Sequence, residues 1–126
     1  MSTYATNPQV TNVLDRLEEI AIIPVITIDN PAFAVPLARA LVAGGLPAAE
    51  VTFRTPCAAR CIARTAAEVP ELLVGAGTVL DVPTTQAALE AGARFIVSPG
   101  LAEDSVAYCV DHNVPVVPGL STPSEL

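Results

Sequence analysis

Short apolar runs alternate along this chain with longer stretches in which apolar residues recur every three or four positions. The runs are IIPVITI (Ile22 to Ile28), AEVTF (Ala49 to Phe53), LLVGAG (Leu72 to Gly77), FIVSPG (Phe95 to Gly100) and VPVVPG (Val114 to Gly119). Each is brief and apolar, and each closes on a polar or glycine-rich turn. That pattern predicts five buried strands. Their starts lie 19 to 27 residues apart, which leaves room for one strand and one helix per unit. Asn30-Pro31, Thr55-Pro56 and Thr122-Pro123 each put a capping residue before a proline, and Asp81 before Val82-Pro83 is a looser version. A side-chain oxygen at the N-cap satisfies a free N–H of the first turn, and a proline there gives up no helical hydrogen bond. Ala43-Gly44-Gly45 and Ala91-Gly92 mark helix ends, where glycine takes the left-handed conformation without penalty. Pro36 falls early in its helix and predicts a kink or a delayed start. Ahead of the first run, Val10, Val13, Leu14 and Leu17 keep the spacing of an amphipathic face, which predicts a leading helix over 8–19.

The expected organisation is one α/β domain over residues 1–126. It holds the leading helix, five strand–helix units over 22–119 and a helix that begins at 122–126. Alternating apolar strands and helices give a parallel sheet with right-handed crossovers. An open doubly wound sheet and part of a (βα)8 barrel both fit that order. The stretch AEVTFRT (Ala49 to Thr55) separates them. Strand side chains alternate, so Glu50, Thr52 and Arg54 share one face while Val51 and Phe53 share the other. An open sheet covers both faces with helices and leaves Glu50 in apolar surroundings at high cost. A barrel makes the polar face its interior. The barrel is therefore the expectation, with about five of its eight strands present, as in the N-terminal portion of a longer protein.

Function in such sheets collects at the C-terminal ends of the strands. Those ends supply Thr27, Arg54 with Glu50 behind it, Thr78, Ser98-Pro99 and Pro118-Gly119. Arginine is a planar clamp for carboxylate or phosphate. A glutamate in a partly dry interior has a raised pKa, suited to general acid/base chemistry. The set reads as a site for a small anion with proton transfer. Plain structural readings stand beside it. Glu50 and Arg54 could form an ion pair, Gly75 to Thr78 could be a tight turn, and Ser98 to Gly100 could be a simple loop.

Composition narrows the classes. Hydrophobic residues make up 52 % of the chain and charged residues 15 %, as expected when strands are covered on both faces. No apolar run approaches the ~18 residues of a membrane span. The start MSTYATNPQ has neither a basic stretch nor an apolar core, so a cytoplasmic location is expected. A net charge of −7 without a basic stripe argues against nucleic acid. Cys57, Cys61, Cys109 and the single His112 are all that zinc could draw on, and they read more simply as small buried thiols with a lone histidine. No metal or cofactor is expected. All six basic residues are arginines, and the 126 residues contain no lysine.

PVI (Pro24 to Ile26), EVTFRT (Glu50 to Thr55), VGAGTVLD (Val74 to Asp81), SPGL (Ser98 to Leu101) and VPGLSTPSEL (Val117 to Leu126) occur in that order. Together they resemble the bacterial 2-keto-3-deoxy-6-phosphogluconate (KDPG) aldolases, a family that includes 4-hydroxy-2-oxoglutarate (KHG) aldolase. The resemblance runs from about Ala21 to Leu126. It implies a (βα)8 barrel, usually trimeric, and a class I aldolase that releases pyruvate and glyceraldehyde 3-phosphate from a sugar-acid phosphate. By motif, Glu50 resembles the acid/base that works through a water. Arg54 and Thr78 resemble the groups that hold the pyruvate carboxylate, and Pro99 lines the same pocket. The family's nucleophile is a lysine on a sixth strand, which forms a Schiff base with the keto group. None of the 126 residues supplies it, so the chain is expected to be inactive alone. A metal-assisted aldolase and a non-catalytic half-barrel that assembles with itself are the rival expectations.

Overall fold

The computed structural model describes residues 3–126. Its elements are α1 (Pro8–Ile20), β1 (Val25–Ile26), α2 (Ala34–Ala43), β2 (Ala48–Thr52), α3 (Ala58–Glu68), β3 (Leu73–Gly77), α4 (Val82–Glu90), β4 (Ile96–Ser98), α5 (Glu103–Asp111) and β5 (Val116–Pro118). The strands form one parallel sheet in chain order, β1 to β5. All five predicted strands are present; β2 keeps the five-residue length of its run, shifted by one residue, and the other four are shorter than theirs. β1 shrinks most, to two residues. Proline has no N–H to give a ladder, and Pro24, just ahead of β1, serves only as acceptor for the Glu50 N–H at 2.9 Å.

The alternation along β2 sorts the core into two layers. Val51, Val74, Ala76 and Ile96 face outward and pack with Ala38, Ile62, Ala88 and Cys109 of the helices. On the other face, Ala48 and Phe95 pack with Val13 and Leu17 of α1 and with Ile20, Ile23, Leu73 and Val97. α1 thus covers the inner face at the start of the strands. Register places Ala48 beside Leu73, Glu50 beside Gly75 and Thr52 beside Gly77. The inner face therefore runs from apolar at its α1-covered end to polar at its C-terminal end.

The caps explain where the helices begin. Asn7 accepts from the Gln9 N–H at 2.8 Å ahead of Pro8. Asp81 accepts from the Thr84 N–H at 2.8 Å, a full N-cap with its carboxyl held below the ordinary range by hydrogen bonds from the Thr84 side chain and N–H. Asn30-Pro31 opens a 3₁₀ turn (Pro31–Phe33), and α2 follows from Ala34. The start is delayed, as Pro36 predicts. Pro36 then lies in the first turn of α2, where the N–H has no helical partner to lose. Thr122-Pro123 likewise opens a 3₁₀ turn (Pro123–Glu125), whose Glu125 carboxylate accepts from the N–H groups of Ser121 and Thr122.

Thr55-Pro56 departs from expectation. α3 starts only at Ala58, with Cys57 in the N-cap position. The Thr55 hydroxyl instead donates to the Ile28 carbonyl at 2.7 Å, and the Cys57 thiol donates to the same oxygen at 3.1 Å. The hydroxyl that local sequence assigns to a cap is used to tie the loop after β2 to the end of β1.

Gly75 leaves no room for a side chain, because a methyl group there would run into the ring of Phe95, which is fully buried. Gly75→Ala should lower stability by about 1–3 kcal/mol through overpacking. Gly100→Ala, whose methyl would point into open space, should change it by less than about 0.5 kcal/mol. Urea denaturation of the two variants checks the contrast.

Candidate active site

The C-terminal rim of β1, β2 and β3 gathers the polar residues. Glu50 lies on the inner face with only 8 % of its surface exposed. Its carboxyl occupies the space above Gly77, where any side chain would collide with it. No hydrogen-bond donor among the described residues reaches that carboxyl, and the ion pairs among them are Arg16–Glu19 and Arg64–Glu68. Burial raises the Glu50 pKa above the ordinary carboxylate value, and the Arg54 charge draws it only part of the way back. The structural ion pair between Glu50 and Arg54 is thus not formed. The two groups sense each other without touching.

Arg54 follows β2 and is exposed. Its Nε donates to the Thr78 hydroxyl at 3.2 Å. Thr78 follows β3 with φ of 55°, a left-handed conformation that is an outlier for a β-branched residue. Strain of this kind costs about 1–3 kcal/mol and gathers at functional positions. The sequence-predicted pair is therefore brought together, with a guanidinium and a hydroxyl side by side at the mouth.

Thr27 and Thr52 form a second pair, their hydroxyls 2.9 Å apart, and the Thr52 hydroxyl also lies 3.2 Å from the Ile26 carbonyl. Val25 pairs with Glu50, so Thr27, two residues on, shares the inner face with Glu50 and Thr52. The sequence places these two threonines at a strand end and on the polar face. Nothing in it reports that they meet, because that contact depends on register between strands.

Pro99 stands apart from these groups. It lies beyond β4 on the same rim and, with Val79, Leu80, Ser98 and Leu101, lines an open cleft of about 380 Å³. Val79, the neighbour of Thr78, lines the same cleft as Pro99. Ser98 turns its hydroxyl to the Gly100 carbonyl at 2.8 Å and so serves the loop. Gly77 is the functional position that sequence reasoning missed. Its signal was the second glycine of GAG, two residues beyond the glycine that pairs with Glu50, on the side toward which the glutamate side chain leans.

The cysteines do not join this site as ligands. Cys57 and Cys61 lie at the start of α3 with sulfurs 3.9 Å apart, while Cys109 and His112 lie at the end of α5. Cys61 and Cys109 are fully buried, and burial pushes both thiols up to about 11. His112 stacks on Tyr108 with ring centres 3.9 Å apart.

A family model for KDPG and KHG aldolase matches residues 13–126. The chain belongs to that family. The 2-dehydro-3-deoxy-phosphogluconate aldolase of Treponema pallidum is 47 % identical over 114 residues, covering 90 % of this chain and 54 % of that protein. The KHG/KDPG aldolase of Escherichia coli is 49 % identical over 105 residues, covering 83 % and 49 %. The KDPG aldolase of Zymomonas mobilis solved with 3-phosphoglycerate superposes with a TM-score of 0.85 at 40 % identity, covering 92 % and 55 %. A Legionella pneumophila KDPG aldolase, solved with pyruvate captured as a covalent carbinolamine, superposes with a TM-score of 0.78 at 40 % identity, covering 82 % and 50 %. The chain spans about half the length of the relatives it matches. The five-stranded parallel sheet with its helices is accordingly part of a (βα)8 barrel.

The raised Glu50 pKa has a signed consequence. A carboxyl raised on folding contributes stability below its unfolded pKa and loses it as pH rises through the folded value. Glu50→Gln, which cannot ionise, should therefore gain stability relative to the parent between about pH 4 and neutrality. Denaturation midpoints across that range, parallel for the two proteins, would refute the burial argument.

Proposed function

We propose that these residues form the proton-transfer and carboxylate-binding half of a class I aldolase site, within residues 1–126 as the N-terminal part of the barrel domain. The substrate is 2-dehydro-3-deoxy-phosphogluconate, with 4-hydroxy-2-oxoglutarate as the alternative that the E. coli relative's name supports. The observation that carries this reading is the largely buried Glu50, whose carboxyl accepts no hydrogen bond from the protein, beside the exposed Arg54–Thr78 pair.

The chemistry assigns each group one task. Arg54 and Thr78 hold the carboxylate of the 2-oxo acid and fix its carbonyl in place. An amine attacks that carbonyl, and loss of water leaves an iminium. The bond between C3 and C4 then breaks. Its electrons pass into the iminium to give an enamine, and the C4 hydroxyl loses its proton as the aldehyde departs. Glu50 carries these protons, through a water, between hydroxyl, carbinolamine and enamine carbon. A carboxyl with a raised pKa holds a proton more readily than an ordinary carboxylate and is the better acid/base for it. Pro99 supplies an apolar part of the rim.

The 126 residues contain no lysine, and arginine stays protonated and does not serve as the nucleophile. In this reading the amine comes from a lysine outside these residues, on a sixth strand. The resemblance also implies a soluble cytoplasmic enzyme that works as a trimer without a metal.

Borohydride reduction in the presence of pyruvate tests the division of labour. The 126-residue chain alone should give no covalent adduct by mass spectrometry. Fusion to the second half of the Treponema relative should restore the adduct. In the fused protein, Glu50→Gln should slow exchange of the pyruvate methyl protons with solvent deuterium by about 10²–10⁴-fold. Arg54→Ala should mainly weaken pyruvate binding. An adduct on the chain alone would overturn the assignment of the nucleophile.

A further inference from the structure

Cys57 and Cys61 stand at the start of α3 as a connected pair rather than as two separate core thiols. The Cys61 thiol is directed at the Cys57 sulfur, 3.9 Å away, and the Cys57 thiol donates to the Ile28 carbonyl at 3.1 Å. The two differ in access. Cys57 is partly exposed, whereas Cys61 is fully buried. Reactive thiols are favoured at helix N-termini, where the dipole supports negative charge on sulfur, and Cys57 holds the N-cap position of α3. Burial pushes the Cys61 thiol up to about 11, so it keeps its proton and is not the group an oxidant meets first. Residues four apart on a helix have Cβ atoms about 5–6 Å apart, and a disulfide brings them to about 4 Å. Cys57 is the end able to make up the difference. It precedes the helix and joins its ladder through the carbonyl alone, which accepts from the Cys61 N–H at 2.9 Å.

We propose that Cys57 and Cys61 are a reversible disulfide site, closed by hydrogen peroxide. The Cys57 sulfur attacks the O–O bond. One oxygen becomes the sulfenic hydroxyl on Cys57, and the other leaves as water with the thiol proton. The Cys61 sulfur then displaces that hydroxyl, and the Cys61 proton departs with it as a second water. The two thiols lose two electrons and the peroxide gains them. A disulfide that has to draw its Cβ atoms together is strained and easily reduced, so a small thiol opens it again. Closure has a definite structural consequence. A disulfide carries no S–H, so the Ile28 carbonyl loses the Cys57 donor and keeps the Thr55 hydroxyl at 2.7 Å. The loop that leads from Arg54 into α3 thereby loses one of its two side-chain bonds to the end of β1.

Peptide mapping of the 126-residue chain tests the assignment. After peroxide treatment and alkylation in denaturant, the chain should have lost two of its three free thiols, with Cys109 still alkylated. Trypsin cuts after Arg54, Arg60 and Arg64, so the two cysteines fall in separate peptides, Thr55 to Arg60 and Cys61 to Arg64. These should appear joined, and dithiothreitol should part them. In Cys57→Ser, Cys61 should stay reduced under the same treatment. The joined species should form faster in the folded chain than in urea, where the contact between the sulfurs is gone. Oxygen accumulating on Cys57 without the joined peptide would overturn the proposal. So would loss of Cys109 at the same rate as the pair, or equal rates with and without urea.

Discussion

Glu50 sits on the inner face of β2 with its carboxyl above Gly77 and no hydrogen-bond donor against it. A carboxyl largely withdrawn from water, with no donor from the protein, is unfavourable in a fold. It is tolerated because the interior of a parallel barrel is the one place in such a sheet where a strand face need not be covered by helices. The remaining arrangement follows from that. Gly77 has to lack a side chain so that the carboxyl has space, and Gly75 has to lack one because Phe95 fills the layer below. α1 closes the apolar end of the same face with Val13 and Leu17, which keeps water from the floor while the rim stays open.

The rim is organised by hydroxyls rather than by charge pairs. Thr55 ties the loop after β2 to Ile28, Thr52 ties β2 to Ile26, and Thr78 receives Arg54. The neutral bonds contribute about 1 kcal/mol each, and the Thr78 hydroxyl sets the direction of the Arg54 guanidinium. Because Arg54 is spent on Thr78 and not on Glu50, it remains free to meet an anionic ligand, and Glu50 keeps its raised pKa. A Glu50–Arg54 ion pair would have removed both properties at once.

Much of this was legible in the chain. Period-two alternation placed Glu50, Thr52 and Arg54 on a common face; the register of β2 keeps Glu50 and Thr52 together, while β2 ends at Thr52 and Arg54 lies in the turn beyond it. The run-and-cap pattern found all five strands and the delayed start of α2. Errors fell where a local rule met a tertiary partner. Thr55 has the residue type and the following proline of an N-cap, but the Ile28 carbonyl competes for its hydroxyl and α3 begins three residues later. The apolar run at Ile22 to Ile28 overstated β1, since hydrophobicity reports burial potential and not the ladder, which Pro24 cannot join as a donor.

The sequence by itself determined the element order, the parallel α/β class, the inward face of β2 and the absence of any side-chain amine able to form an iminium within these residues. Those follow from periodicity, from capping chemistry and from residue identity, all of which are local. Tertiary structure decided which groups touch. Arg54 reaches Thr78 and not Glu50, Thr27 meets Thr52, and Pro99 lies one cleft away from both. Contacts between strands depend on register and twist, set by how the whole sheet packs against its helices and α1. No stretch of sequence contains that information alone.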